Sequence, residues 1–189
     1  MYYNSKCYGG EVTLSLTDRE LWTVIHGMVL GAIFLLAFAG GLAGLWSLRP
    51  EWITVAGLEE RMRRLRAGTW IMAIAAWLTV ITGTFIVYPW YRASPPAQAD
   101  LTEYPRSYLL ANPDLAAWYT FGMEWKEHVA WLAPILATAV AYVVIHYGSQ
   151  LAYQREIRYP LMVLFTIAFL AAGAAGLFGA FITKVVPIP

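Results

Sequence analysis

Four stretches without a single Asp, Glu, Lys or Arg organise the chain: Leu21–Leu48, Ala67–Tyr91, Val129–Tyr147 and Tyr159–Thr183. A helix of roughly 20 residues crosses the hydrocarbon core of a bilayer, so each run is long enough to span one. The pattern predicts an all-α integral membrane four-helix bundle, one domain over residues 1–189, with helices at about 21–48, 67–91, 121–147 and 159–183. Before the first run, Thr17-Asp18-Arg19-Glu20 has the form of a capping box, an N-cap threonine with a glutamate three residues on. Pro50 and Gly57 are expected to punctuate its exit.

The polar connections differ in kind. The first, Arg49–Arg66, carries five arginines, with Glu59 and Glu60 four residues before Arg63 and Arg64, the favourable order for helical ion pairs. It predicts a short basic interfacial helix against anionic lipid. The second, Arg92–Lys126, is long and aromatic. Ser94-Pro95-Pro96 breaks the helix, and Asn112-Pro113-Asp114 predicts a fresh N-cap with proline at the first helical position. The third, Gly148–Arg158, is short and holds Arg155 and Arg158.

Composition agrees with lipid as the solvent: 59% hydrophobic, 13% charged, mean hydropathy +0.53. A net charge of +1 gives no reason to expect a nucleic-acid partner. Connections one and three hold seven of the thirteen Lys and Arg, so the positive-inside rule predicts them in the cytoplasm. Both termini and the aromatic loop are then expected outside the plasma (inner) membrane of a prokaryotic cell. Met1–Leu16 lacks the basic-then-apolar run of a cleavable signal, so the first helix is expected to be retained. Cys7 is the only cysteine, which excludes an internal disulfide or a Cys-x-x-Cys-His haem attachment.

The candidate chemistry is histidine. His26 lies in an uncharged run, and an ionisable group in hydrocarbon usually faces a cofactor, a partner or water. The first and third helices run in the same direction, which sets His26 and His128 at similar depth near the outer interface. His146, eighteen residues beyond His128, lies roughly 27 Å from it along the axis. The geometry therefore pairs His26 with His128. Ile33, Ala37, Gly40 and Gly44 are expected to continue the His26 face, with Gly40-x3-Gly44 letting a flat ligand or a helix approach closely. Leu132, Ile135 and Ala139 continue that of His128, with a kink expected at Pro134 just below the histidine. Arg19, Arg92, Arg106, Lys126 and Lys184 are the cations available near the outer face, and Glu124 and Glu127 are conceivable proton acceptors there. The bland alternative is a His26 that bonds a neighbouring helix and a His128 that meets water. His146 is a second candidate ligand, with Met72 or Met162 as thioether partners.

Four spans with a histidine on each of two co-directional helices resemble the small transmembrane b-type cytochromes, the haem-bearing membrane subunits of quinone-linked respiratory complexes. The resemblance implies one haem b with His26 and His128 as axial iron ligands, Gly40 and Gly44 at the macrocycle, and Arg19, Arg92 and Lys126 at its propionates. It also implies a subunit that moves electrons between quinol and an extracytoplasmic cytochrome or oxidoreductase, leaving catalysis to another protein. A quinone is a further candidate ligand. The alternatives are a cofactor-free accessory or scaffold subunit, and a transporter or assembly factor that handles haem or metal.

Overall fold

The computed structural model describes residues 17–186; Cys7 and the rest of Met1–Leu16 lie outside the described residues, as do the expectations placed on them. Helices make up the architecture, with no strand among the described residues. Four helices are long and apolar enough to cross a membrane: α1 (Asp18–Ser47), α2 (Val55–Tyr91), α4 (Trp118–Ala152) and α5 (Arg155–Val185). A short helix, α3 (Pro105–Ala111), lies in the connection between α2 and α4.

α1 packs on α2 and α5, and α4 packs on the same two, so α1 and α4 face each other across the diagonal. The packing surfaces are built from small residues, as expected where lipid removes the hydrophobic drive between helices. Gly41 is one such place: a Cβ there would lie 2.7 Å from the Phe165 ring. Phe38 of α1 stacks on Phe169 of α5 at 4.0 Å between centroids. Ala73, Ala75, Ala76, Ala137, Ala141 and Ala168 let the remaining backbones close up.

The capping box forms as expected: Thr17 Oγ1 accepts from the Glu20 N–H, and the Thr17 N–H donates to Glu20 Oε2 at 2.8 Å. The separate interfacial helix does not form. Thr54 caps α2, accepting from the Gly57 N–H at 3.2 Å, and the helix then runs unbroken from the basic segment into the apolar one. No proline interrupts it until Pro89, and Glu60 holds both Arg63 and Arg64, the latter at 2.6 Å. The anticipated Glu59–Arg63 pair is replaced by Glu60–Arg63, and Gly57 sits inside the helix rather than ending one. Asn112 heads a turn, its side chain accepting from the Asp114 N–H at 3.0 Å, and the helix follows several residues later instead of at Pro113.

The two ends of the bundle are chemically distinct. At the arginine end, the last carbonyls of α1 and α4 have no intrahelical donors, and cations there also suit the helix dipoles. Arg158 is fully buried and donates to the carbonyls of Leu48, Leu151 and Ala152, the last at 3.0 Å. Arg61 donates to the Ser47 carbonyl at 2.9 Å. At the aromatic end, the α2–α4 connection folds back over the bundle, where Tyr91, Leu109, Met123, Ile182 and Val186 form a second core. Asp100 caps a turn in this connection by accepting from the Thr102 N–H, and that bond holds its carboxyl below the usual aspartate value.

Candidate polar site at the aromatic end

His26 stands in a local π-helical segment, Ile25–Val29, where the backbone bonds reach five residues instead of four. The wider turn accommodates one extra residue, which advances everything after it. The inward stripe of α1 is accordingly His26, Leu30, Phe34, Ala37, Gly41 and Leu45, all but the half-buried His26 being buried. Three of the four positions expected from a regular 3.6-residue period, Ile33, Gly40 and Gly44, fall one residue short of it. Gly40 faces open space, and Gly44 is occupied by Leu65 of α2, whose Cδ1 would be 3.1 Å from an added Cβ. Neither glycine forms a slot for a macrocycle.

The His26 ring lies against α2. A Cβ on Gly83 would meet His26 Cε1 at 2.7 Å, so glycine is what lets the imidazole sit there. Gly83 opens another π-helical segment, Gly83–Val87. His26 Nδ1 is 3.1 Å from Thr82 Oγ1, and that hydroxyl donates to the Leu78 carbonyl at 2.7 Å. With its proton committed, Thr82 accepts from His26, which places the imidazole proton on Nδ1 and leaves Nε2 with a free lone pair.

On α4, across the diagonal from His26, Lys126 is half-buried. Its Nζ lies against α5, 2.9 Å from where a Gly179 Cβ would be. His26 is eight residues from the start of α1 and Lys126 eight from the start of α4, about 12 Å below the aromatic end in both cases. The next residue, Glu127, approaches Tyr88 and Tyr91 of α2. Glu127 Oε1 and the Tyr91 hydroxyl are buried without a hydrogen-bond partner among the described residues, as is Arg106 Nε. Arg106 covers the Tyr119 ring at 5.2 Å, closing the polar layer from the loop side.

His128 is turned the other way. It shares an exposed stripe with Glu124, Trp131, Ile135, Ala139 and Tyr142, and its Nδ1 donates to the Glu124 carbonyl of its own helix at 2.7 Å. Leu132 and Ile135, expected to line a ligand below it, are exposed as well. The expected facing of His26 and His128 is thus not what α4 gives: Lys126 packs its Nζ against Gly179 of α5, and His128 faces the bundle's surroundings. A haem clasped inside the bundle by His26 and His128 does not fit this arrangement. Of the cations assigned to its propionates, Arg19 is exposed and Arg92 lies over the Tyr88 ring at 5.3 Å. His146 is exposed and stacked on Tyr142, whereas Met72 is fully buried in the core. Among the described residues no group of three or more His, Cys, Asp or Glu side chains is placed to hold a metal ion.

Tyr88 and Tyr91 also belong to this site, and nothing in the sequence around them sets them apart from the other tyrosines. No family model matches the chain, and neither a curated protein nor a solved structure matches it.

Proposed function

We propose that the protein is the quinol-facing membrane subunit of a redox complex, and that the layer of His26, Lys126, Glu127, Tyr88 and Tyr91 receives the quinone head group. The observation that carries this reading is a pair of buried polar atoms in this layer, Glu127 Oε1 and the Tyr91 hydroxyl, left without partners among the described residues. Each such atom costs about 1–3 kcal/mol, so the two together favour a ligand that completes them. Ionisable groups at membrane depth are by default functional. A quinone carbonyl accepts from the Lys126 ammonium. A quinol hydroxyl donates to His26 Nε2 or to the Glu127 carboxylate, both of which can take its proton. The electrons leave to a redox centre of an extracytoplasmic partner docked over the aromatic end, with the arginine end toward the cytoplasm.

Binding of a short-chain quinone, followed by quenching of tryptophan fluorescence in the purified chain in nanodiscs, tests the reading. His26→Ala and Lys126→Met are expected to weaken binding at least tenfold, and His128→Ala to leave it unchanged. Absence of saturable binding to the wild-type protein overturns it. The haem b reading requires α4 to turn His128 inward, an arrangement other than this one. A low-spin b-type spectrum that disappears in both His26→Ala and His128→Ala would replace the quinol reading with it.

A further inference from the structure

Three guanidinium groups converge where α1 ends. The carbonyls of Trp46, Ser47 and Leu48 accept in turn from Arg49 Nε at 3.3 Å, from Arg61 Nη1 at 2.9 Å and from Arg158 Nη1. A helix C-terminus carries about half a negative charge, so three cations on one such end leave positive charge over. No carboxylate among the described residues makes up the difference. The ion pairs there are those of Glu60 with Arg63 and Arg64, and of Glu51 with Arg155 at 3.6 Å. Glu51, two residues after Arg49, thus serves α5 and not the end of α1.

Of the three cations, Arg49 has donors to spare at the surface. Arg158 is fully buried. Arg49 is half-buried and spends only Nε on the protein, so that both its Nη groups have no partner among the described residues. Its guanidinium lies 4.3 Å from the centroid of the Trp46 ring and 4.6 Å from that of Trp52. Stacking on aromatic rings fixes the plane of the fork, and a fixed fork is suited to two oxygens of one phosphate. The two rings are themselves 50% and 55% exposed. Trp46 continues an exposed edge of α1 through Leu36, Ala39 and Ala43, so the fork stands where the apolar helix surface gives way to the polar end. Tryptophan favours that depth in a bilayer.

We propose that this helix end holds one anionic phospholipid, its phosphodiester on the Arg49 Nη groups and its glycerol and upper acyl carbons against Trp46 and Trp52. The surplus positive charge selects a lipid of net negative charge over a zwitterionic one, whose own ammonium is repelled. The exposed rings beside the fork select a lipid over a free phosphate, which would leave both uncovered. The site is independent of the quinone layer at the opposite end of the bundle.

Native mass spectrometry of the delipidated full chain, titrated in nonionic detergent with phosphatidylglycerol or phosphatidylcholine, tests this. The first phosphatidylglycerol is expected to bind at least about fivefold more tightly than phosphatidylcholine. Glycerol phosphate at equal concentration is expected not to displace it. Arg49→Gln and Arg63→Gln remove the same charge, yet only Arg49→Gln is expected to abolish the preference. Trp52→Leu keeps both the charge and the Arg49 cap, and is expected to weaken the first phosphatidylglycerol about threefold even if Arg49→Gln fails to fold. No preference in the wild type, equal loss in the two arginine variants, or full binding by Trp52→Leu overturns the site. Displacement by glycerol phosphate overturns a lipid as its occupant in favour of a soluble phosphate.

Discussion

Replacing Gly83 with alanine separates the role of the His26 ring from the stability of the bundle. The added methyl would stand 2.7 Å from His26 Cε1 and 3.4 Å from each ring nitrogen, inside contact distance. The imidazole is the end of a side chain with two torsions, so it swings away instead of forcing the helices apart. The swing breaks the Nδ1 hydrogen bond to Thr82, a loss of about 0.6–1 kcal/mol for a polar contact between membrane helices. Alanine is meanwhile favoured over glycine within a helix by about 0.8–1 kcal/mol. The two effects offset, and the unfolding free energy should change by no more than about 1 kcal/mol, as measured by reversible unfolding in mixed micelles. Quinone binding should nonetheless fall about as far as in His26→Ala, since the imidazole no longer keeps the orientation that Thr82 gives it. Full binding by Gly83→Ala would refute the claim that the oriented imidazole is part of the site. A loss of several kcal/mol would refute the claim that Gly83 is there for the ring rather than for helix packing.

Arg158→Met should destabilise the protein by about 3–6 kcal/mol, one charge-assisted hydrogen bond at about 1.5–3 kcal/mol for each of the two protons that Nη1 shares among the three carbonyls, and Arg158→Lys should recover only part of this because Nζ stops one bond short of the Nη1 position. The same unfolding assay reads it, and a change below about 1 kcal/mol would mean the guanidinium is not what closes the arginine end. Gln98 has a φ of +66° at the turn after Pro96, a conformation that costs an L-residue about 1–2 kcal/mol. Gln98→Gly should make the α2–α4 connection more resistant to limited proteolysis, and Gln98→Val more sensitive; the opposite order would exclude a strained turn there.

The four long helices were legible in the sequence because the signal is strong: uncharged runs of sufficient length, bounded by charge. The capping box at Thr17 was legible for the same reason, being a local rule with a local cause. The charge density of Arg49–Arg66 suggests a boundary at the start of α2, whereas backbone bonds and the Glu60 pairs carry the helix straight through it. The site was half legible. A histidine in an uncharged run marks depth and need, and His26 does point inward. A regular third helix would set His128 opposite it, but α4 is not regular. Trp118–Met123 is π-helical, and the helix is interrupted again at Ala130–Trp131, four residues before Pro134, which cannot donate to the Ala130 carbonyl. These irregularities rotate the face that a 3.6-residue period would assign, and composition gives no warning of them. Lys126 looked like an interfacial cation for the same reason: nothing in Glu124-Trp125-Lys126-Glu127-His128 says which of five polar or aromatic residues turns inward. Packing decides that, through Gly179, which leaves a space on α5 that an ammonium on a long stem can reach.

The orientation of α4 is the claim on which the site depends, and cross-linking measures it directly. In a Cys7→Ser background, which removes the only native cysteine, His26→Cys can be combined with Lys126→Cys or with His128→Cys. Treatment with a short bis-methanethiosulfonate should link the first pair within one molecule and leave the second unlinked. Linkage of His26→Cys to His128→Cys, with none to Lys126→Cys, would contradict the account and return the two histidines to a shared interior.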